Sequence, residues 1–271
     1  MMYRPFSKHT KNFTLVAALP ILFVLLLPLI SLLASTSYSN LALAVQNPTF
    51  LTALSLSIKT SLISLVTTII LGTPLALFLS MSSPKTHERL SLIVELPIVL
   101  PPAVVGIALL YALGQNGLIG QHISYFGITI PFSTAAVVIA QISVSSPFYI
   151  QSAQEAFKRI DPEVIFLART LGASPLSIFL KIILPLTLPG LISGAAMTLA
   201  RALGEFGATL LFAGNLPGKT QTVPLAIYTA LESDLNVALA FSLILVLTTL
   251  ILLLILKKSK QLNRILFEDE S

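Results

Sequence analysis

Two ionisable side chains, Arg201 and Glu205, lie four residues apart in a long stretch that is otherwise apolar. At this spacing they share one face of a helix, one turn apart, so the guanidinium and the carboxylate can pair. Charged groups at membrane depth are costly and usually face a partner or a substrate pathway. Two interpretations stay open: the pair helps a charged solute to pass, or it only holds helices together.

No other combination of residues indicates catalysis or metal binding. The chain has no Cys, which excludes disulfides and Cys-ligated metals, and its 3 His are isolated from one another. The segment from Pro217 to Thr220 resembles the end of a phosphate-binding loop, but Ala213 stands where that motif needs its first Gly. We expect no catalytic residue, no metal site and no cofactor bound by this chain.

The composition is that of a membrane protein. Of the 271 residues, 55% are hydrophobic and 10% charged, and the mean hydropathy is +0.92, whereas soluble domains carry about 25% charged residues. A helix needs roughly 20 apolar residues to cross the hydrocarbon core. The sequence therefore predicts an all-α integral membrane protein with six transmembrane helices. They are residues 13–33, 54–80, two spans that share 96–154 and separate at 114–127, 182–212, and 235–256.

The basic residues predict the orientation of the spans. With a cytoplasmic N-terminus, 13 of the 16 Lys and Arg fall in cytoplasmic segments, Lys59 and Arg201 fall within spans, and Lys219 alone lies outside. Cytoplasmic segments are enriched in Lys and Arg, so we expect residues 1–12 and the tail 257–271 to be cytoplasmic. Residues 1–34 also resemble a secretory signal, but the apolar run is longer than the usual stretch of about 7–15 residues. We expect a retained helix.

The segment between the fourth and fifth spans predicts a short helix. Asp161 is a suitable N-cap, Pro162 suits the first helical position, and Gly172 favours a left-handed stop. Apolar residues at i, i+3, i+4 and i+7 predict one apolar stripe on this helix. They are Val164, Leu167, Ala168 and Leu171.

A second short helix is predicted directly after the first. Its cap is Ser174, its first residue is Pro175, and it is expected to continue over residues 176–184 and to end at Pro185. Two helices joined by such a tight turn make an angular projection with an exposed apolar stripe, which suits docking into a groove of a partner. The alternative is a loop folded onto the ends of its own spans. The physical pattern alone favours neither.

This loop, about residues 155–185, resembles the EAA signature of the permeases of ABC importers. The signature is Glu-Ala-Ala, a Gly after three residues, and an Ile-x-Leu-Pro group nine residues later. The sequence departs from it at Phe166 and Leu167, which replace the Glu and the first Ala. The resemblance implies an ATPase-coupling loop. Its residues are Ala168, Gly172, Ala173, Ser174, Pro175, Ile182, Leu184 and Pro185.

The resemblance extends over about residues 45–257 and is most specific around the fifth span. The run Ala-Arg-Ala-Leu-Gly-Glu-Phe-Gly-Ala-Thr, residues 200–209, and the loop at 212–228 are similar to the molybdate and tungstate permeases. Sulfate permeases are close relatives, so molybdate is the expected cargo and sulfate or tungstate the alternative. The implied fold is the MetI-like bundle of ABC importer permeases. A secondary transporter driven by an ion gradient is the runner-up class, and co-purification of an ATPase would separate the two.

Six residues are candidates for the translocation path or its gate. Three prolines must interrupt the hydrogen-bond ladder of the third span, and freed carbonyls at that depth need protein or a water-filled cavity beside them. Glycines at 204 and 207 could serve as a hinge, whereas Gly190 and Gly194 are spaced for close helix packing. The candidates are Arg201, Glu205, Thr209, Pro97, Pro101 and Pro102.

The resemblance also implies the partners. A separate ATP-binding cassette subunit would hydrolyse ATP, a second copy of the permease would complete the path, and an extracytoplasmic oxyanion-binding protein would deliver the cargo. The expected location is the inner (plasma) membrane of a prokaryote, in contact with lipid and without nucleic acid. The chain itself is expected to be a non-catalytic permease subunit.

Overall fold

The computed structural model describes the backbone of residues 8–268 and the side chains of residue 14, residues 16–256 and residue 258. Within these residues the regular structure is helical, with no strand. Expectations for residues 1–7 and 269–271, and for the remaining side chains, lie outside the described residues. The α-helices in chain order are α1 Lys8–Ser35, α2 Tyr38–Gln46, α3 Pro48–Met81, α4 Pro84–Val99, α5 Pro102–Leu113, α6 Gly120–Ser124, α7 Thr134–Lys158, α8 Pro162–Thr170, α9 Pro175–Ile178, α10 Leu184–Leu203, α11 Gly207–Ala213, α12 Val223–Leu231 and α13 Leu235–Glu268.

Two of the long helices, α3 and α7, begin at polar caps. The side chain of Asn47 accepts a hydrogen bond from Phe50 N at 3.1 Å at the start of α3, where Pro48 takes the first position. Ser133 Oγ accepts from Ala136 N at 3.2 Å at the start of α7. Because the first amides of a helix have no partner inside it, these caps fix where each helix begins.

Helix α7 is the centre of the bundle and packs most extensively against α3 and α10. The crossing with α10 is close because Gly190 and Gly194 face α7. A Cβ at Gly190 would lie 2.5 Å from Ala156 Cβ, and one at Gly194 would lie 2.7 Å from Ser152 Cβ. The predicted role of this glycine pair in close helix packing is confirmed.

The face of α3 that packs inside the bundle is polar. Four of its buried side chains follow a helical spacing of four, three and four residues, and Gln141 of α7 reaches the row by donating from Nε2 to Ser61 Oγ at 3.2 Å. In hydrocarbon such groups would be costly, so they must be enclosed by protein. The four are Ser57, Ser61, Ser64 and Thr68.

The structure does not confirm all six predicted spans. Among the described residues four helices are long and apolar enough to cross a membrane, or five if α4 and α5 together count as one bent span. Helix α7, the predicted fourth span, has 25 residues but is not among them. It carries the buried polar residues Gln141, Ser145 and Gln154. The count of six remains a prediction.

The predicted third span is not one straight helix. Helix α4 ends at Val99, α5 begins at Pro102, and the two axes meet at 109°. Leu100 and Pro101 are both extended, because a residue that precedes proline avoids the helical region. Pro97 lies inside α4 and does not end it. The prolines therefore do break the ladder, but the break is at Pro101 and Pro102 alone.

The predicted fifth span is wrong at both of its ends. It was placed at residues 182–212, but α10 ends at Leu203 and α11 follows as a separate helix. At the other end, the second short helix does not stop at Pro185. It continues through a π-helical turn, Phe179–Ile183, into α10. Proline lacks the amide of a normal helical bond and its ring clashes with an earlier carbonyl, and a widened turn relieves both conditions.

Candidate docking surface and translocation site

Helices α8 and α9 and the turn between them form a projection, residues 161–178, which we call the knob. Its local structure follows the predicted signals. The carboxylate of Asp161 accepts a hydrogen bond from Glu163 N at 2.9 Å, and Ser174 Oγ accepts from Ser177 N at 3.3 Å. Gly172 has a φ of +81°, which favours glycine. Both predicted caps and the left-handed stop are confirmed.

The turn after α8 is closed by two backbone hydrogen bonds. Ala173 N donates to Ala168 O at 3.1 Å, and Gly172 N donates to Arg169 O at 2.9 Å. This pair of bonds is a Schellman motif, which satisfies the last carbonyls of a helix. The knob therefore keeps its shape through its own backbone.

The eight predicted coupling residues divide into two groups. Gly172, Ser174 and Pro175 are exposed at the tip of the knob, where a partner could reach them. The other five are buried or half-buried, and most of these pack against the main hydrophobic core, so they hold the knob to the bundle. They are Ala168, Ala173, Ile182, Leu184 and Pro185.

The exposed apolar surface of the knob is larger than the predicted stripe. Leu167 and Leu171 of that stripe are exposed, Leu171 at 88%, whereas Ala168 faces the core. Phe166 and Leu176 are also exposed and were not predicted as site residues. Phe166 stands where the EAA signature has Glu, so an apolar contact replaces a polar one there. That departure was the signal that could have identified it.

A mostly apolar cavity of about 530 Å³ lies at the side of the knob. Phe166, Arg169 and Pro175 line it from the knob, and Met81 lines it from the end of α3. The apolar surface of the knob therefore continues onto the bundle.

The second candidate site is the ion pair at the end of α10. Arg201 Nη1 lies 2.8 Å from Glu205 Oε2, and the side chains are 29% and 1% exposed. The two residues were expected on one continuous helix, but α10 ends at Leu203, so Glu205 lies in the break before α11. Its Oε1 accepts a hydrogen bond from Ala208 N at 2.9 Å. Glu205 therefore caps α11 and holds Arg201 with the same carboxylate.

The break that contains Glu205 packs against the break between α4 and α5. A Cβ at Gly207 would lie 3.3 Å from Pro102 Cβ, and one at Gly106 would lie 2.8 Å from Ala208 Cα. Helices α5 and α11 therefore cross at backbone contact. The structure brings Pro101 and Pro102 to the segment of Arg201 and Glu205, whereas Pro97 belongs to α4, which packs against α7 and α3.

The surroundings of the ion pair are buried and polar. Thr209 is fully buried, and no described residue bonds its Oγ1. Gln141 Nε2 donates to Ala202 O at 3.2 Å at the end of α10. Gln141 was missed by the sequence analysis, although a glutamine inside an uncharged apolar run was a signal. Phe206 packs on Tyr228, with ring centroids 5.5 Å apart, and so ties this break to α12.

The segment from Pro217 to Thr220 does not have the arrangement of a phosphate-binding loop. It follows the helix α11, and the hydroxyl of Thr220 donates to Gly214 O at 3.1 Å. A phosphate-binding loop joins a strand to a helix and leaves its backbone amides free for phosphate.

Comparison with known proteins agrees with this architecture. Residues 69–261 match the family described as "Binding-protein-dependent transport system inner membrane component". The chain is 43% identical to the "Molybdenum transport system permease protein ModB" of Mycobacterium tuberculosis (strain ATCC 25618 / H37Rv), over 84% of this chain and 86% of that protein. It is 41% identical to the "Probable transport system permease protein NifC" of Clostridium pasteurianum, over 88% of this chain and 84% of that one.

Solved structures show the fold. A chain of a bacterial alginate ABC transporter in complex with an alginate pentasaccharide-bound periplasmic protein superposes with a TM-score of 0.69 at 19% identity, covering 91% of this chain and 93% of that one. A chain of the MetNI methionine ABC transporter in an inward-facing conformation gives 0.58 at 18% identity, covering 78% and 93%. The predicted MetI-like permease fold is confirmed. The chain belongs to the family of binding-protein-dependent transport system inner membrane components.

Proposed function

We propose that this chain is the permease subunit of an ABC importer that carries molybdate. The observation that supports this most is its 43% identity, over 84% of its length, to a molybdenum transport permease. The knob supplies a surface on which a separate ATPase subunit can act, and the described residues show no group of three or more acidic or His side chains that could hold a metal ion. In this proposal the partner subunit hydrolyses ATP and this chain acts as the non-catalytic permease.

Arg201 is the residue that we place beside the path. Its side chain keeps 29% of its surface exposed although it is paired with a buried carboxylate. A guanidinium that is paired with a carboxylate holds an oxyanion less tightly than an unpaired one. This suits passage more than storage, because a strongly basic pore would trap its ion. Glu205 holds Arg201 in place, and Pro102 packs close to Gly207, two residues after Glu205.

The assembly that we propose contains two permeases, two ATPases and one binding protein. The chain offers an exposed knob for the ATPase and a polar outer loop, residues 214–222, for the binding protein. Because the ion pair of one chain is only partly enclosed, a second copy would complete the wall around the oxyanion.

The function is tested by uptake of radiolabelled molybdate in cells that lack their own molybdate permease. Cells expressing this chain with its ATPase and binding protein are expected to accumulate the label, and a tenfold excess of unlabelled tungstate should compete better than the same excess of sulfate. Proteoliposomes that contain the complete complex but no ATP serve as the control and should show no uptake of the label. Uptake that persists without ATP would support the secondary-transporter alternative, and preferential competition by sulfate would assign sulfate as the cargo.

The orientation is also a proposal, with both termini in the cytoplasm and the loop of Lys219 outside. The chain has no Cys, so single cysteines can report sidedness without background. Lys219→Cys is expected to react with a membrane-impermeant maleimide in intact cells. Lys258→Cys is expected to react only after the cells are permeabilised. Both positions are exposed in the structure, so the reverse labelling pattern would overturn the orientation.

A further inference from the structure

Lys59 is the one ionisable residue of α3, Pro48–Met81, a helix long and apolar enough to cross the membrane. Among the described side chains two ion pairs occur, Lys158 with Glu155 and Arg201 with Glu205, and Lys59 takes part in neither. Lys59 is exposed in the structure. An ammonium group on a spanning helix that has no acidic partner is a candidate for a binding or transport function. The function proposed above does not use this residue.

A cavity of about 360 Å³ lies beside Lys59. Thr52 and Ser55 line it from the same stripe of α3, and Gly218 of the outer loop lines it from the other side. The cavity is open, and Ser55, Lys59 and Gly218 are exposed. The cavity is therefore built from two parts of the chain that are far apart in sequence. No acidic side chain lines it.

The polar groups around this cavity include three free donors. Ser55 makes no hydrogen bond with any described residue, so its hydroxyl is available. Gly218 has a φ of +74° in a turn, and its amide has no partner among the described residues. Thr52 differs, because its hydroxyl donates to Pro48 O at 2.8 Å. The Lys59 ammonium, the Ser55 hydroxyl and the Gly218 amide remain.

This combination of donors selects an anion. An ammonium group, a hydroxyl and a backbone amide can each donate to a different oxygen of one ligand, as they do in many sites for tetrahedral oxyanions. Lys59 lies 11 positions after Pro48, roughly 17 Å along the axis of α3 at 1.5 Å per residue. The orientation proposed above places that depth near the outer boundary of the hydrocarbon core.

We propose that Lys59, Ser55 and the Gly218 amide form a binding site for a tetrahedral oxyanion at the outer end of α3. The inference rests on the proposed function for one of its two ligand sources, the transported oxyanion on its way in. The phosphate of a membrane lipid has the same chemistry and is the other source. One charge and two neutral donors make a weak site, which releases a transported ion.

The test uses the complete complex of permease and ATPase, purified in dodecyl maltoside, which contains no phosphate. Tungstate binding is measured by equilibrium dialysis with elemental mass spectrometry, and retained phospholipid by native mass spectrometry. Lys59→Gln removes the charge. It should weaken the binding of the ligand that occupies the site by about tenfold or more, as expected for the loss of a charge-assisted hydrogen bond. Lys59→Arg should keep binding. Lys85→Gln, a change at an exposed lysine at the start of α4 that does not line the cavity, is the matched control.

The outcomes separate the sources and the site. Weaker tungstate binding with unchanged lipid assigns the site to the transported oxyanion, and loss of phospholipid with unchanged tungstate assigns it to lipid. If Lys59→Gln changes the binding of neither ligand, or changes it no more than Lys85→Gln does, the site is overturned. Uptake by the wild-type complex is a separate readout. If the wild type takes up an oxyanion but Lys59→Gln binds both ligands normally, only the site is rejected. If the wild type takes up neither molybdate, tungstate nor sulfate, the proposed function is rejected.

Discussion

Replacing Leu171 with aspartate is expected to release the ATPase subunit and stop uptake while the permease stays folded. Leu171 is 88% exposed on the knob, so the substitution costs the isolated chain little. In a docked complex the new carboxylate would be buried against an apolar groove without a partner, which costs several kcal/mol. We expect binding of the ATPase, measured by co-purification and by biolayer interferometry, to weaken by about 100-fold or more.

The matched control is Leu118→Asp, the same change at a leucine of similar exposure in the segment 114–127 between the third and fourth predicted spans. This variant should keep the ATPase bound. Equal loss of ATPase from both variants would point to a general effect of the charge. Normal binding by Leu171→Asp would contradict docking through the knob and leave the alternative of a loop folded onto its own spans.

Replacing Arg201 with glutamine is expected to lower both uptake and stability. Glu205 is 1% exposed, and without Arg201 its charge would remain buried with only the Ala208 amide as a hydrogen-bond donor. Breaking a buried ion pair on one side costs on the order of 3 kcal/mol. The thermal unfolding temperature of the purified chain in detergent measures the loss of stability. Molybdate uptake at equal expression measures the loss of transport.

The double variant Arg201→Gln with Glu205→Gln separates the two interpretations of the pair. The neutral amide side chain that replaces the Glu205 carboxylate keeps an oxygen for the amide of Ala208, so stability should return toward that of the wild type. If Arg201 acts on the passing oxyanion, uptake should stay reduced by about tenfold, the value of one charge-assisted hydrogen bond. Recovery of uptake together with stability would show that the pair is purely structural.

The parts of the structure that sequence predicted are those that depend on neighbouring residues. Asp161 and Gly172 act through their own side chain and backbone within one helical turn, so their residue types are sufficient to place the cap and the stop. The glycine spacing at 190 and 194 is likewise local to one helix face. These patterns act within a single helix, so they can be interpreted without knowledge of the fold.

The errors arose where tertiary contacts decide the outcome. The apolar pattern of residues 182–212 continues past Leu203, but α10 ends there. Glu205 accepts a hydrogen bond from Ala208 N of the next helix, α11, which packs against α5. Three prolines predicted a broken third span, yet Pro97 is accommodated within α4. The interruption lies at the consecutive pair, where two successive residues, Leu100 and Pro101, are extended. The cavity at Lys59 required the loop at Gly218, which is far away in sequence.

The π-helical turn Phe179–Ile183 sets the angular phase between the knob and the bundle. The buried positions Ile178 and Ile183 are five residues apart, whereas Ile183, Thr187 and Leu191 follow at intervals of four. Each residue of an α-helix advances the side-chain direction by about 100°. Without the extra residue, the buried faces of α9 and α10 would point in different directions. The length of this turn, more than its composition, therefore fixes the direction from which the knob meets a partner.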